Sequence, residues 1–417
     1  MKQLGIALGL MTALVMSSGV FAEEESKRKS GFESGGGFGG PGSTTEQLAE
    51  DDLVKNPTFV FDAFDQALAP WFAWKKKVNQ QSGIQLGMAY TSLFQSADEA
   101  PPGVDEDAAS GIFRISGKWV AFQNEEGDSG TVVFNVDHRH AYDGSAPADL
   151  GFATGYLGIP GTLFNNSKTI LGDLNYQYRF NDGNSGLILG RYDPNDYLDV
   201  LGYSNPWTTF QNLYILNNAS IALPDWGTGV GIGHRFSNQV YALGHVSDAN
   251  GVATETKFFE DFSELYSSAE IGWSPTPAER YLKNFHLTVW HVDDREEAGV
   301  PESEGYTLGA NWTWNNNFMV FGKAGWSDGL APLLQKSFTV GMIYYFESRT
   351  DLFGAAINWG EPADPTLEEQ TTTEIFYRWQ LAQNLAVTPS IQYIQDPALN
   401  PADDEILYTG IRVRFSL

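Results

Sequence analysis

The sequence predicts an all-β protein: a transmembrane, antiparallel up-and-down β-barrel of about 16 strands, preceded by a short N-terminal helical segment. Three observations predict it. From residue 83 onward, apolar and polar side chains alternate with period two in segments near the ~9–11 residues that a tilted membrane strand needs. The connections between segments are short after even-numbered strands and mostly longer after odd-numbered ones. An up-and-down membrane barrel requires that asymmetry, with tight turns on the periplasmic side and long loops outside. Finally, Phe180, Trp314, Phe346 and Trp379 lie on apolar faces beside short turns, where a girdle at the membrane interface would fall.

Composition agrees. The 417 residues include 44 Gly, 12 Trp and 14% aromatics, which favours strands and tight bends over helices. No long apolar run lies beyond the N-terminus, so a helical-bundle membrane protein is excluded. With 52 Asp+Glu against 25 Lys+Arg, the formal charge is −27, which argues against nucleic acid, whose phosphates need clustered cations. Zero Cys removes disulfides, thiolate metal sites and Cys nucleophiles together.

In chain order, residues 1–22 read as a secretory signal peptide, with Lys2 before the apolar run Leu4 to Met16 and a cleavage site after Ala22. Residues 23–55 form an acidic, Gly-rich tail containing Gly35-Gly36-Gly37-Phe38-Gly39-Gly40-Pro41-Gly42, expected to stay flexible and to pack no core. Residues 56–82 turn helical and aromatic, and Pro70 is expected to break or kink the helix. The barrel domain occupies 83–417. Its strands are expected at 83–94, 111–122, 130–142, 169–180, 186–196, 227–236, 239–248, 264–274, 284–295, 304–314, 317–327, 335–346, 351–360, 371–381, 385–395 and 405–417.

The faces are legible in several strands. Ile411, Val413, Phe415 and Leu417 oppose Tyr408, Gly410, Arg412 and Arg414; Ile170, Leu174, Tyr176, Tyr178 and Phe180 oppose Asp173, Asn175, Gln177 and Arg179. If polar faces line the lumen, its cations are Arg114, Lys118, Arg139, Arg179, Arg191, Lys323, Arg378, Arg412 and Arg414, and its acids Asp137, Asp173, Asp193 and Glu374. The expectation is a cation-rich lumen inside an acidic protein. Guanidinium groups in a narrow pore present fixed forks of donors to hydroxyls and anions, although the same Arg–carboxylate ladders also brace a barrel wall. The longest loop, 197–226, carries Pro206, Trp207 and Phe210 and would narrow the lumen if folded inward; otherwise it is a surface loop.

No catalytic, metal or cofactor site is expected. His138 and His140 have a metal-compatible spacing but share the apolar face with no third ligand in view. His291-Val292-Asp293-Asp294 lacks a nucleophile elbow, and Gly229-Val230-Gly231-Ile232-Gly233 is a Gly-alternating strand with no helix after it.

From about Trp71 to Leu417 the chain resembles the carbohydrate-selective porin family, the glucose-porin type of Gram-negative outer membranes. The residues that carry the resemblance are Gly190-Arg191-Tyr192-Asp193 with Asp196-Tyr197-Leu198-Asp199, Val246-Ser247-Asp248-Ala249-Asn250-Gly251, Leu287-Thr288-Val289-Trp290-His291-Val292-Asp293, Thr388-Pro389-Ser390-Ile391-Gln392-Tyr393-Ile394-Gln395-Asp396-Pro397 with Asn400-Pro401, and the final Arg412-Val413-Arg414-Phe415. The resemblance implies a sixteen-stranded barrel with an inward-folded constriction, and passive, partly selective diffusion of small carbohydrates (monosaccharides such as glucose) through a water-filled, Arg-lined pore. It makes Arg191 and Asp193 constriction candidates and Trp290 a stacking platform, beside the lumen candidates Arg139, Asp137, Arg114, Lys118, Arg378, Glu374, Arg412 and Arg414. It implies the outer membrane as location, membrane lipid and the barrel-assembly machinery as partners, and a homotrimer or a monomer. Such barrels usually end in Phe or Trp, whereas this chain ends in Leu417; the Gly-rich tail has no counterpart in the family pattern. The rival readings are a porin for other small solutes or inorganic anions, and a structural or adhesive barrel.

Overall fold

Sixteen antiparallel strands close on themselves through the pairing of the first with the last. The structure is a computed structural model describing residues 37–256, 258 and 263–417; the expected signal peptide and residues 23–36 of the tail lie outside the described residues. The strands are β1 (Ile84–Ala97), β2 (Asp107–Gln123), β3 (Ser129–Gly144), β4 (Lys168–Phe180), β5 (Ser185–Tyr192), β6 (Gly227–Arg235), β7 (Val240–Asp248), β8 (Leu265–Trp273), β9 (Lys283–Val292), β10 (Ser303–Trp314), β11 (Phe318–Asp328), β12 (Leu334–Phe346), β13 (Asp351–Pro362), β14 (Gln370–Ala382), β15 (Leu385–Gln395) and β16 (Glu405–Ser416). Every expected strand is present. β5 stops at Tyr192 rather than at 196, because Asp193 accepts the backbone N–H of Asn195 at 2.9 Å and starts a 3-10 turn.

The wall is apolar outside and polar inside. On the outer face Ile232, Ile271 and Val289 are 55%, 53% and 47% exposed, while the inward Thr288 and Thr307 are wholly enclosed. A wall of this kind is stable only with hydrocarbon against it. Ile170 departs from the expected alternation: a register irregularity between β3 and β4 at Phe134/Val136 turns it inward, and it is buried. The short turns use left-handed residues that fit the strand twist, such as Asn315 and Asn316 at φ 52° and 58°. The loop-length alternation holds with one exception, the β8–β9 connection, which makes room for the 3-10 turn Pro277–Glu279.

Two helices precede the barrel: α1 (Thr44–Asp51) and α2 (Asp62–Ser82). Pro70 lies inside α2 without ending it. The helix is largely exposed around Pro70, so the carbonyl that loses its partner can turn to water. Residues 37–52 contradict the expectation of a tail that packs nothing. They enter the lumen from the short-turn end, where Gly40 N–H donates to Asp196 O at 2.5 Å, Thr44 Oγ1 to Asp173 at 2.6 Å, and Arg414 to Asp51 at 2.6 Å. Glycine is required there by closeness: a Cβ on Gly40 would stand 2.4 Å from Val200 Cγ1.

Candidate functional site

The lumen is shaped by the connection 193–226, which leaves β5 and folds inward. Gly190 opens the departure with φ +125°, a conformation closed to other residues because a Cβ would meet Leu174 O at 2.5 Å. The wall then seizes the loop strand by strand. Asp199 accepts from Thr307 Oγ1 (2.7 Å) and meets His286 Nε2 (3.1 Å), while its N–H donates to Glu270 at 2.8 Å. Lys323 donates to the carbonyls of Ile215 and Asn217 at 2.8 and 2.7 Å. Glu374 accepts the N–H groups of Gln211 and Asn212, and Arg412 donates to the carbonyls of Pro206 and Thr209, all within 2.7–2.9 Å. The short helix α4 (Leu213–Leu216) sits in this loop.

Apolar packing decides which side of the lumen the loop fills. Leu201, Tyr203, Phe210, Ile215 and Leu216 form a core with Phe321, Ile343, Leu352 and Phe376 of β11–β14. Tyr203 stacks on Phe321 at 3.7 Å between ring centroids. A second loop carrying α3 (Pro147–Thr154) packs on the first and on the wall: Leu213 N–H donates to Ile159 O at 3.0 Å, and Gln392 of β15 to Pro160 O at 2.7 Å.

On the opposite wall stands a polar ladder. Arg114 of β2 grips Asp137 of β3 with two parallel bonds at 2.6 and 2.7 Å, and Arg139 reaches the same carboxylate at 2.9 Å. The inward loop lays an aromatic ring against each guanidinium: Trp207 at 4.2 Å from Arg114, and Trp226 at 4.9 Å from Arg139. Beyond the ladder, Asp173 holds Asn135 at 2.7 Å as well as Thr44. Toward the short turns a cavity of about 1190 Å³ opens, lined by Lys118, Arg179, Arg235, Tyr178, Tyr192 and Tyr197 together with Phe38, Ser43 and Glu46 of the N-terminal segment.

The candidates thus fall into groups. Arg114, Asp137 and Arg139 come together, and Lys118 lies in the cavity below them. Glu374 and Arg412 are spent on loop backbone, and Arg414 on Asp51, although Arg414 also lies 5.7 Å from the Trp207 ring. Arg378 has no hydrogen-bond partner among the described residues and faces the lumen on β14. Arg191 is not open to a solute: it is 1% exposed and donates to the carbonyls of Leu171, Val252 and Ala253 at 2.8–3.1 Å. Trp290 is not an open platform either; at 3% exposure it lies in a cluster with Ile221 of the inward loop, Tyr241 and Tyr266. Asp193 sits at the loop's first turn, where its carboxyl, removed from bulk water and facing Asp225, is pushed up to about 7. Trp226 was missed; it ends the longest loop, a position that sequence cannot place over a particular strand. The expected cation excess is narrowed, because α1 carries Glu46, Glu50 and Asp51 into the lumen. His138 stacks on His140 at 5.6 Å on the outer wall, each bonded to a neighbouring hydroxyl, Thr169 or Tyr90.

Residues 299–417 match the family model described as carbohydrate-selective porin, OprB family. No curated protein sequence matches the chain. Among solved structures, the high-pH form of Pseudomonas putida OprB superposes with a TM-score of 0.68 at 13% identity, covering 83% of this chain and 97% of that one. The low-pH form of the same protein gives 0.51 at 12% identity, over 83% and 96%. At those identities the superpositions establish the sixteen-strand fold. The chain thus carries the signature of the carbohydrate-selective porin, OprB family in residues 299–417, on a sixteen-strand barrel of the same fold as Pseudomonas putida OprB.

Proposed function

We propose that this outer-membrane barrel conducts small carbohydrates, monosaccharides foremost, through the lumen cavity lined by Lys118, Gln177, Arg179 and Tyr197. The observation that carries the reading is the lining of that cavity, where the half-buried Lys118, Gln177 and Arg179 stand with the half-buried Tyr197, whose hydroxyl accepts from Gln177 at 3.0 Å. A sugar is recognised by hydroxyl hydrogen bonds to such charged groups and by laying its C–H face on an aromatic ring. Because these groups also have partners within the protein, each exchange with a hydroxyl is nearly balanced, which keeps affinity modest and exit fast. Liposome swelling across mono- and disaccharides tests it. Tyr197→Ala is expected to change the ranking of sugars; an unchanged ranking would remove this lining from the path.

A second reading, passage of small anions, is favoured by one observation, the unpartnered Arg378. The acids of α1 oppose it, since Glu50 and Asp51 act on that guanidinium alongside the cation of Arg414.

A further inference from the structure

Residues 55–82 stay at the short-turn rim. Lys55 N–H donates to Gln383 Oε1 at 3.0 Å and Asn56 N–H to Thr350 Oγ1 at 2.6 Å. The N–H groups of Thr58 and Phe59 then bond the carbonyls of Gln380 and Leu381 at 3.0 and 2.9 Å. Beyond this point the chain is outside the barrel. Phe59 lies 6.3 Å from Trp379 and Phe64 5.8 Å from Phe415, both residues of the outward wall. The chain therefore leaves the lumen, crosses the rim, and returns along α2 to Gly83, whose φ of +68° ends the helix before β1.

α2 carries three stripes. Lys75, bonded to Asp52 at 2.7 Å, and the half-buried Leu68 and Phe72 face the barrel. Gln66, Lys76 and Gln80 form an exposed polar stripe. Between the two lies an apolar edge, Phe64 and Trp74 at 42% and 45% exposure, continued N-terminally by Phe59 and Phe61 at 47% and 50%. The edge runs into the outward wall through the Phe64–Phe415 and Phe59–Trp379 contacts. It is thus an extension of the surface that meets hydrocarbon, placed at the level of the periplasmic interface. A helix with an aromatic edge and lysines on its polar side lies in the plane of a headgroup layer.

We propose that α2 and residues 59–61 form an interfacial collar. Phe59, Phe61, Phe64 and Trp74 enter the acyl boundary of the inner, phospholipid leaflet, and Lys76 and Lys77 meet anionic headgroups. The inference rests on the membrane-spanning reading of the barrel. Its consequence is a fixed anchor for the segment that enters the lumen, since residues 37–55 join the collar directly.

The absence of native Cys allows one spin label at a time. Five variants, Phe64→Cys, Trp74→Cys, Gln66→Cys, Gln80→Cys and, in the wall, Ile232→Cys, are reconstituted in vesicles of phosphatidylethanolamine and phosphatidylglycerol. Collisions with oxygen, which concentrates in lipid, are compared with collisions with a water-soluble nickel chelate. The collar predicts oxygen-dominated relaxation at positions 64, 74 and 232 and chelate-dominated relaxation at 66 and 80. Labels at 64 and 74 as open to the chelate as that at 66, with 232 still in lipid, would overturn the collar alone. A chelate-open label at 232 would overturn the membrane reading on which it stands.

Discussion

Asp137 holds two guanidinium groups at once and is the carboxylate that bonds both. Its removal leaves buried charge without compensation, a loss of ~3–5 kcal/mol in comparable pairs. Asp137→Ala is therefore expected to lower the thermal midpoint of the barrel in detergent, whereas Arg412→Met, which frees loop carbonyls rather than a charge, should loosen the 193–226 loop and leave the wall intact. Heat-modifiable gel mobility separates the two. Asp193 makes a pH prediction. Its value of about 7 in the folded loop lies above the ordinary carboxyl range, chiefly because it is withdrawn from water, and Asp196 is pushed up for the same reason with Asp193 beside it. The folded loop therefore binds these protons more tightly than the unfolded chain. The stability this gives is complete below the ordinary carboxyl value and is lost as pH rises through about 7. Hydrogen exchange at 193–200, corrected for intrinsic rate, should be faster at about pH 8 than at about pH 5, and Asp193→Asn should reduce the difference. Arg114, Asp137 and Arg139 were readable because inward positions on neighbouring strands follow from period two. Arg191 was misread because its fate depends on residues 252 and 253 of another loop, which no local pattern encodes.

The strands announce themselves, since each must be apolar on one face along its whole length. The N-terminal segment does not. Its order comes from partners far along the chain: Arg280 to Phe38 O at 2.8 Å, Tyr281 to Gly39 O, Asn205 to Pro41 O at 3.2 Å, and Arg414 to Asp51. Composition alone makes such a stretch look like a linker, because Gly-rich backbone hides that its close approach is the point. The same ambiguity left the inward fold of 197–226 open. Only the complementary apolar patch on β11–β14 directs it, and strand periodicity does not reveal which inward residues lie opposite a loop. A prediction follows for the N-terminal element. Deleting residues 37–55 empties the short-turn half of the lumen, so single-channel conductance should rise while the barrel still assembles. An unchanged conductance would mean that the segment is not in the conduction path.

At the scale of the molecule one inversion organises everything: the wall presents its apolar residues to lipid and its polar residues to a lumen partly filled by loops of its own chain. The loop fills the β8–β14 side with packed core and leaves open the cavity lined by Lys118, Arg179 and Tyr197. The most direct measurement is ion current through the purified protein in a planar bilayer during titration with monosaccharides. A concentration-dependent, partial block is predicted, and Tyr197→Ala should weaken it roughly fivefold, the equivalent of about 1 kcal/mol of lost contact. A current that no saccharide reduces, carried selectively by anions, would contradict the account.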